Sequence, residues 1–183
     1  MTELALHILD IVQNSIRANA TKIEVIIEEN KATDLYSIEI KDDGDGVDAM
    51  QLKQISDPFF TTRTTRKVGL GISLLKQVAE QTGGHLNVES EKGKGTRLKV
   101  QFSYKHVDRP ILGDIAGTLT LIIGANPQIH FLYVHKTPLS DFEFDTDEIK
   151  EELEDVPISD HDILKALKEL IEENLELINA AIN

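Results

Sequence analysis

Hydrophobic positions at the start of the chain follow a helical period and then switch to alternation. Apolar residues recur every three or four positions over residues 3–18, which predicts an amphipathic helix. Residues 22–29 and 36–42 alternate apolar and polar positions, which predicts two antiparallel strands joined by a turn. An Asp-Gly-rich run over residues 42–46 ends the second strand, and residues 49–55 fit a short helix before a proline.

A segment without clear periodicity, residues 57–68, interrupts this pattern, and we expect it to form a mobile loop. Residues 72–81 return to helical spacing, and two consecutive glycines end this helix. Residues 85–91 and 96–104 alternate again and predict a second hairpin. Together these elements predict an α+β two-layer sandwich with its helices on one face of the sheet.

The pattern changes character after Pro110. Residues 111–124 are largely apolar, so helix and strand both stay open for them. Residues 129–135 alternate like a strand, whereas residues 145–156 and 160–181 have helical spacing. We therefore expect an α/β C-terminal extension that ends in a long helix.

Charge is distributed unevenly along the 183 residues, which carry 32 acidic and 19 basic side chains for a formal net charge of −13. Residues 1–140 hold 17 acidic and 16 basic side chains, whereas residues 141–183 hold 15 and 3. This balance disfavours nucleic acid as a partner, because clustered Lys and Arg bind a phosphate backbone. It also indicates two zones, a nearly neutral body and an acidic end.

Composition excludes several kinds of site. The chain is 40% hydrophobic and 28% charged, as expected for a folded globular protein. It contains no cysteine, which excludes disulfides, thiolate metal sites and thiol nucleophiles. Its start has no basic stretch, and no run approaches the roughly 18 apolar residues of a membrane span. We therefore expect a cytoplasmic protein that makes no membrane contact.

The first predicted helix carries polar residues at positions that share one face: His7, Asp10, Asn14 and Arg17. A carboxylate and an amide one turn apart can hold a water molecule and a hydrated Mg²⁺ ion, because an amide oxygen is a suitable hard ligand. The alternative is a face that is simply solvated.

The Asp-Gly-rich run contains Asp42 at the end of a strand, followed by Gly44 and Gly46. Glycines let the backbone approach a ligand closely, and an aspartate at a strand end can accept a hydrogen bond from an exocyclic amine. An ordinary surface turn is the alternative.

Two further glycine motifs lie downstream. Gly69, Leu70 and Gly71 lead into a helix, where backbone N–H groups and the helix dipole can face an anion. Residues 93–96 read Gly-Lys-Gly-Thr within the second predicted hairpin. Helix packing and a plain β-turn are the respective alternatives.

In this order the motifs resemble the ATP-binding domain of the superfamily that contains gyrase, the heat-shock-90 chaperone, histidine kinases and MutL. The resemblance implies the Bergerat fold for an ATP-binding domain over residues 1–104, followed by an acidic extension over residues 105–183. It also implies ATP and Mg²⁺ as ligands, with Asn14 binding the metal and Asp42 binding the adenine amine.

The resemblance places the other nucleotide contacts in the glycine, phenylalanine and hairpin motifs. These are Gly44, Gly46, Phe59, Phe60, Gly69, Leu70, Gly71 and Thr96. The loop over residues 57–68 then corresponds to a lid, in which Lys67, with Arg63 or Arg66, could compensate the γ-phosphate charge. A solvated loop cation is the equal alternative, and Lys136 is a second candidate because it follows a strand.

Asp10 differs from what the superfamily carries four residues before the metal-binding asparagine. The ATPases and serine kinases have a glutamate there as general base, whereas sensor histidine kinases usually have asparagine. Aspartate keeps the base chemistry on a side chain that is one methylene shorter. Asp10 and Lys67 are therefore the candidate catalytic residues.

These features predict a stand-alone Mg-ATP-binding protein that hydrolyses ATP slowly or transfers its γ-phosphate to a partner protein. No phosphoacceptor histidine motif is present, so we do not expect a self-contained sensor kinase. The alternative is a nucleotide-sensing module without turnover, which regulates a partner through the lid and the acidic tail. Residues 105–183 are the expected partner surface, and a homodimer seam is one option for them.

Overall fold

The computed structural model describes residues 3–56 and 70–182, with only the backbone described for residues 53–56 and 70. The helices are α1 (Leu4–Arg17), α2 (Ala49–Ser56), α3 (Leu70–Gln81), α4 (Ile115–Ala125), α5 (Thr146–Leu153) and α6 (His161–Leu177). The strands are β1 (Lys22–Asn30), β2 (Leu35–Asp42), β3 (His85–Glu91), β4 (Gly95–Ser103), β5 (His130–Lys136) and β6 (Asp141–Asp145).

The six strands of the described residues form one sheet, in the order β3-β4-β2-β1-β5-β6. The pairs are antiparallel except for β1 and β5, which run parallel, with Lys22 opposite His130 and Glu28 opposite Lys136. The α+β sandwich is thereby confirmed, as is the extension that ends in a long helix. The division at residue 104 stays a prediction, and β5 joins the two parts through the sheet.

The core lies between the sheet and the helices. Alternation places Ile23, Val25 and Ile27 of β1 on the buried face, and Ile38 and Ile40 of β2 lie on the same face. Helix α1 packs on α3 and α4, and α6 packs on α4 and β6. Burial of these apolar side chains is the main stabilising contribution to the fold.

The largely apolar segment after Pro110 forms a helix. Asp114 precedes α4, and its carboxylate accepts the backbone N–H of Gly117 at 2.8 Å, as a helix N-cap does. Strand β6 was not part of the sequence prediction. Its Phe142 and Phe144 alternate with acidic residues over only five positions, and pairing with β5 gives this short run its stability.

A buried polar network ties the end of the chain to the sheet. The Tyr133 hydroxyl lies 2.7 Å from His135 Nδ1, and His135 Nε2 lies 2.8 Å from Glu29 Oε1. That same carboxylate oxygen accepts the backbone N–H of Ala181 at 2.9 Å. Glu29 and His135 are only 4% and 0% exposed, so these hydrogen bonds satisfy polar groups that water does not reach.

The other face of the sheet is charged. Glu39 accepts two hydrogen bonds from Arg97 and forms ion pairs with Lys41 and Lys99. Burial alone would raise the pKa of the Glu39 carboxyl, but the cations, Arg97 and Lys41 foremost, lower it to about 2. On β2 and β4 this face of the sheet is therefore covered by paired charged side chains and not by an apolar core.

Among the described residues, no helix has both the length and the apolar character that a membrane crossing requires.

Candidate functional site

A cavity of about 260 Å³ lies between α1 and the ends of β2 and β4. Most of its wall is apolar, and a few polar side chains project into it, as in many small-molecule sites. Its lining residues are Ile11, Asn14, Ser15, Arg17, Ala18, Ile40, Asp42, Gly46, Val47, Ile72, Val88, Thr96 and Leu98.

Asp42 is the acidic residue of this wall, and three donors hold its carboxylate. The Ser15 hydroxyl donates to Oδ2 at 2.6 Å, and the backbone N–H groups of Gly44 and Thr96 donate to Oδ1 at 3.0 and 3.2 Å. Sheet pairing explains the last contact, because Asp42 lies opposite Thr96 in the β2–β4 ladder. The carboxylate is thus a fixed acceptor at the cavity wall.

The neighbouring aspartates of the same run have structural partners instead. Asp43 accepts the Thr21 hydroxyl at 2.6 Å and the backbone N–H groups of Thr21 and Lys22 at 2.7 and 2.8 Å. Burial acts to raise the pKa of Asp43, and these hydrogen bonds outweigh it and lower the pKa. Asp45 accepts from the Asn19 side chain at 2.7 Å. Asp42 is therefore the one of these three that faces the cavity.

Gly46 meets a strict conformational requirement at the edge of the cavity. Its φ angle is +60°, and a Cβ at this position would overlap the Glu91 carbonyl. Only glycine adopts this backbone without strain while lying so close to the hairpin. The turn after β2 can therefore fold back against β3 and close one side of the cavity.

Asn14 and Arg17 form the polar part of α1 at the cavity. The Arg17 guanidinium donates to Asn14 Oδ1 at 2.9 Å and to Gln13 Oε1 at 3.4 Å. Asn14 Oδ1, the amide oxygen that would suit a hard metal cation, thus already accepts a hydrogen bond from the positively charged Arg17. The Arg17 side chain is exposed and therefore has room to move. A metal ion at Asn14 would bring a second cation to this oxygen, so the positive charges would favour movement of Arg17 away from it.

Asp10 lies one turn before Asn14, against the start of α3. A Cβ on Gly71 would overlap the Asp10 carboxylate oxygen Oδ2, so Gly71 is the residue that makes room for this side chain. Asp10 itself does not line the cavity, whereas Ile72, the next residue of α3, does.

His7 lies on the same face of α1 and is buried, contrary to a simple solvated face. It is 1% exposed, and neither ring nitrogen has a hydrogen-bond partner within residues 3–56 and 70–182. Burial lowers the pKa of the His7 imidazole, and the nearby Asp10 carboxylate opposes this only in part. The imidazole is therefore held in its neutral form.

We expect His7 to make the fold less stable as the pH falls below about 6.5. The unfolded chain takes up a proton there while the buried ring does not, so acid favours unfolding. Chemical denaturation of wild type and His7→Leu at pH 7 and pH 5 measures this. Wild type should lose more stability over this interval than the variant, and equal losses would contradict the assignment.

Several of the predicted site residues come together, and others lie elsewhere. Asn14, Asp42, Gly46 and Thr96 line one cavity, with Gly44 bonded to Asp42. Phe59, Phe60, Arg63, Arg66, Lys67 and Gly69 lie outside the described residues, and Leu70 is the first residue of α3.

Lys136 lies too far from the cavity to contact a phosphate there. The register pairs Asp42 with Ile23 at one end of β1 and Lys136 with Glu28 near the other end. Five residues of strand separate these positions, which is about 17 Å. This separation argues against Lys136 as the cation for the γ-phosphate.

Sequence reasoning missed the residues that hold and surround Asp42. Ser15 follows Asn14 directly, and its hydroxyl fixes the Asp42 carboxylate. Ile40, Val88 and Leu98 form apolar wall, and nothing in their alternation separates them from ordinary core residues. Ser15 could have been found because it places a hydroxyl on the core side of α1, directly after the predicted metal-binding residue Asn14.

Residues 2–106 match the family model described as histidine kinase-, DNA gyrase B- and HSP90-like ATPase. This match covers more than half of the sequence. The chain belongs to this family. It contains the histidine kinase-like ATP-binding domain. The apolar cavity between α1 and the sheet, with the Asp42 carboxylate as a hydrogen-bond acceptor in its wall, agrees with this family.

Curated relatives in this family are sensor proteins and kinases. A putative sensor protein of Shewanella frigidimarina is 33% identical over 103 residues, which is 55% of this chain and 16% of that protein. Sporulation kinase C of Bacillus subtilis is 33% identical over 97 residues, which is 53% of this chain and 22% of the relative. Sensor kinase CckA of Brucella abortus is 43% identical over 68 residues, covering 37% and 7%. The chain thus spans less than a quarter of each of these proteins.

A solved structure, the N-terminal domain of a DNA repair protein, shares the fold. Its TM-score is 0.52 at 21% sequence identity, and the match covers 79% of this chain and 52% of that chain. The similarity extends beyond residues 2–106, so it includes part of the chain that follows the family match.

Proposed function

We propose that this protein binds Mg-ATP and either hydrolyses it slowly or transfers its γ-phosphate to a partner protein. The observation that carries the proposal is the Asp42 carboxylate, fixed by three donors at the wall of an apolar cavity. Membership of the ATPase family supports the nucleotide, and the residues explain how it would be recognised.

Asp42 selects a base with an amine. Its carboxylate only accepts hydrogen bonds, so it pairs with the exocyclic amine of adenine and repels the carbonyl that guanine has at the same position. The apolar wall formed by Ile40, Val88 and Leu98 suits the faces of a purine ring. The base would therefore lie between the sheet and α1.

Asn14 is the described residue that fits Mg²⁺. No cluster of three or more His or carboxylate side chains suited to a metal exists in the parts of the chain described, so a cation would rely on the Asn14 amide oxygen and on the phosphates. Mg²⁺ keeps most of its waters and binds well through few protein oxygens, and when bound it neutralises phosphate charge. Arg17 would release Asn14 Oδ1 and remain nearby as a positive charge.

Asp10 is the proposed general base. Its carboxylate would take the proton of a water or a partner hydroxyl while that oxygen attacks the γ-phosphorus and the bond to ADP breaks. Lys67 is the proposed cation for the γ-phosphate.

The C-terminal residues are the proposed partner surface. The negative charge of residues 141–183 suits a protein partner with a basic surface, and we place this interaction in the cytoplasm. Self-association is the other candidate role for residues 105–183.

A nucleotide-sensing module without turnover is the second candidate. The observation that favours it is the position of Asp10, which lies against Gly71 and outside the cavity lining. In that case ATP binding alone would change the surface that a partner contacts.

Phosphate release by wild type and Asp10→Ala, with ATP binding measured in parallel, tests the proposal. We expect slow turnover in wild type and a loss of at least about 100-fold in the variant while ATP still binds. Binding without phosphate release in both proteins would exclude slow hydrolysis. Labelled γ-phosphate that then appears on a co-purified protein would support the transferase, and its absence would favour the sensing module. Absence of ATP binding to wild type would refute both functions.

A further inference from the structure

The Asp10 carboxylate of α1 lies directly against Gly71 of α3. Oδ2 occupies the space that any side chain at residue 71 would need. Gly71 lies in the first turn of α3, where backbone N–H groups have no acceptor within the helix and the helix dipole favours negative charge. The carboxylate thus lies beside a helix start that attracts anions.

Among the described residues, packing against Gly71 and the field of the helix start are what hold the Asp10 side chain. Throughout residues 3–56 and 70–182, no hydrogen bond or ion pair is formed by its carboxylate, which is half-buried. Asp42, by comparison, is fixed by three donors. No hydrogen bond to a described residue therefore has to break when the Asp10 side chain rotates away from Gly71.

The same space borders the cavity. Ile72, which follows Gly71, lines the cavity together with Asn14, which lies one turn beyond Asp10. A base at Asp42 with its phosphates directed toward Asn14 would bring their negative charge toward the Asp10 carboxylate. Two like charges a few ångströms apart in a half-buried site repel strongly.

We infer that the Asp10 carboxylate competes with the terminal phosphates of a nucleotide for the start of α3, and that it acts as an internal stopper which binding must displace. This inference rests on the proposed function. It assigns Gly71 a positioning role toward Asp10 in addition to any contact with phosphate. The stopper should weaken ATP most, ADP less and adenosine hardly at all.

Calorimetric titration of wild type and Asp10→Asn with adenosine, ADP and ATP, without added divalent cation, tests the stopper. Asparagine keeps the shape and removes the charge. We expect ATP affinity to rise about tenfold, ADP affinity to rise less and adenosine affinity to stay within about twofold. Glu80→Gln is the matched control, since it removes one negative charge from the exposed side of α3 and should change no affinity.

The outcomes separate the stopper from the proposed function. If wild type binds ATP and Asp10→Asn leaves the ratio of ATP to adenosine affinity unchanged, the stopper is refuted and the nucleotide site stands. If neither protein binds any of the three compounds, and wild type also fails to bind ATP when Mg²⁺ is added, the proposed function fails and the stopper fails with it.

A stability measurement tests the contact without any ligand. Gly71→Ala should lower the melting temperature by several degrees in wild type, because the new methyl group overlaps the carboxylate. In an Asp10→Ala background that overlap is gone, since the Asp10 Cβ lies 3.6 Å from the added Cβ, and the same change should not lower it. Equal losses in both backgrounds would overturn the inference.

Discussion

Asp42→Asn should weaken ATP binding by about 100-fold or more, the largest effect that we expect from one substitution at the cavity. The carboxylate accepts from Ser15, Gly44 and Thr96 and still faces the cavity. An asparagine would turn a donor NH₂ toward one of these donors or toward the adenine amine. Calorimetric titration with Mg-ATP measures the loss.

Asp43→Asn is the control for Asp42→Asn, because it makes the same chemical change at the next residue. Asp43 contacts Thr21 and Lys22 and does not line the cavity. We expect its ATP affinity to stay within about threefold of wild type, while its melting temperature falls as the hydrogen bonds to Thr21 and Lys22 weaken. Similar losses of affinity in both variants would show that the Asp-Gly run acts only through folding.

Glu29→Ala should destabilise the protein by about 3–5 kcal/mol, the largest stability effect that we expect. Removing this carboxylate leaves His135 Nε2 and the backbone N–H of Ala181 without an acceptor in the interior. Equilibrium denaturation in urea measures the loss. Hydrogen exchange should show that the amide of Ala181 loses its protection first.

Two variants make the Glu29 prediction specific. Glu28→Ala changes the neighbouring, exposed residue of β1 and should cost less than about 0.5 kcal/mol. Glu29→Gln keeps an acceptor oxygen for His135 and Ala181 and should recover much of the lost stability. If Glu29→Ala is no more harmful than Glu28→Ala, the buried network does not hold the end of the chain.

Helices and strands whose apolar residues keep a regular period were predictable from the sequence. Short elements, and segments that are apolar at nearly every position, were not. Alternation in β1 and helical spacing in α1 each reflect one buried face, so the pattern specifies the element. The same alternation places Glu29 on the core side of β1, but its partners, His135 and Ala181, lie more than a hundred residues away. Residues 111–124 lack a polar face, and only the cap at Asp114 shows that a helix follows.

The candidate nucleotide site was predictable in its residue types and less so in their arrangement. Asp42, Asn14 and Thr96 were each expected from motif order, and the β2–β4 register brings Asp42 and Thr96 together. Spacing along a helix could place Asp10 and Asn14 on one face. It could not show that Asp10 lies against Gly71, because that contact depends on how α3 packs on α1.

Strand β5 has a consequence for any shortened version of this protein. The family match ends at residue 106, whereas β1 pairs with β5 from Lys22 to Glu28. A polypeptide cut at residue 106 would leave the outer backbone N–H and C=O groups of β1 unpaired, beside the apolar side chains Ile23, Val25 and Ile27. An open edge of this kind can pair with strands of other molecules, so we expect the later residues to protect residues 2–106 from aggregation.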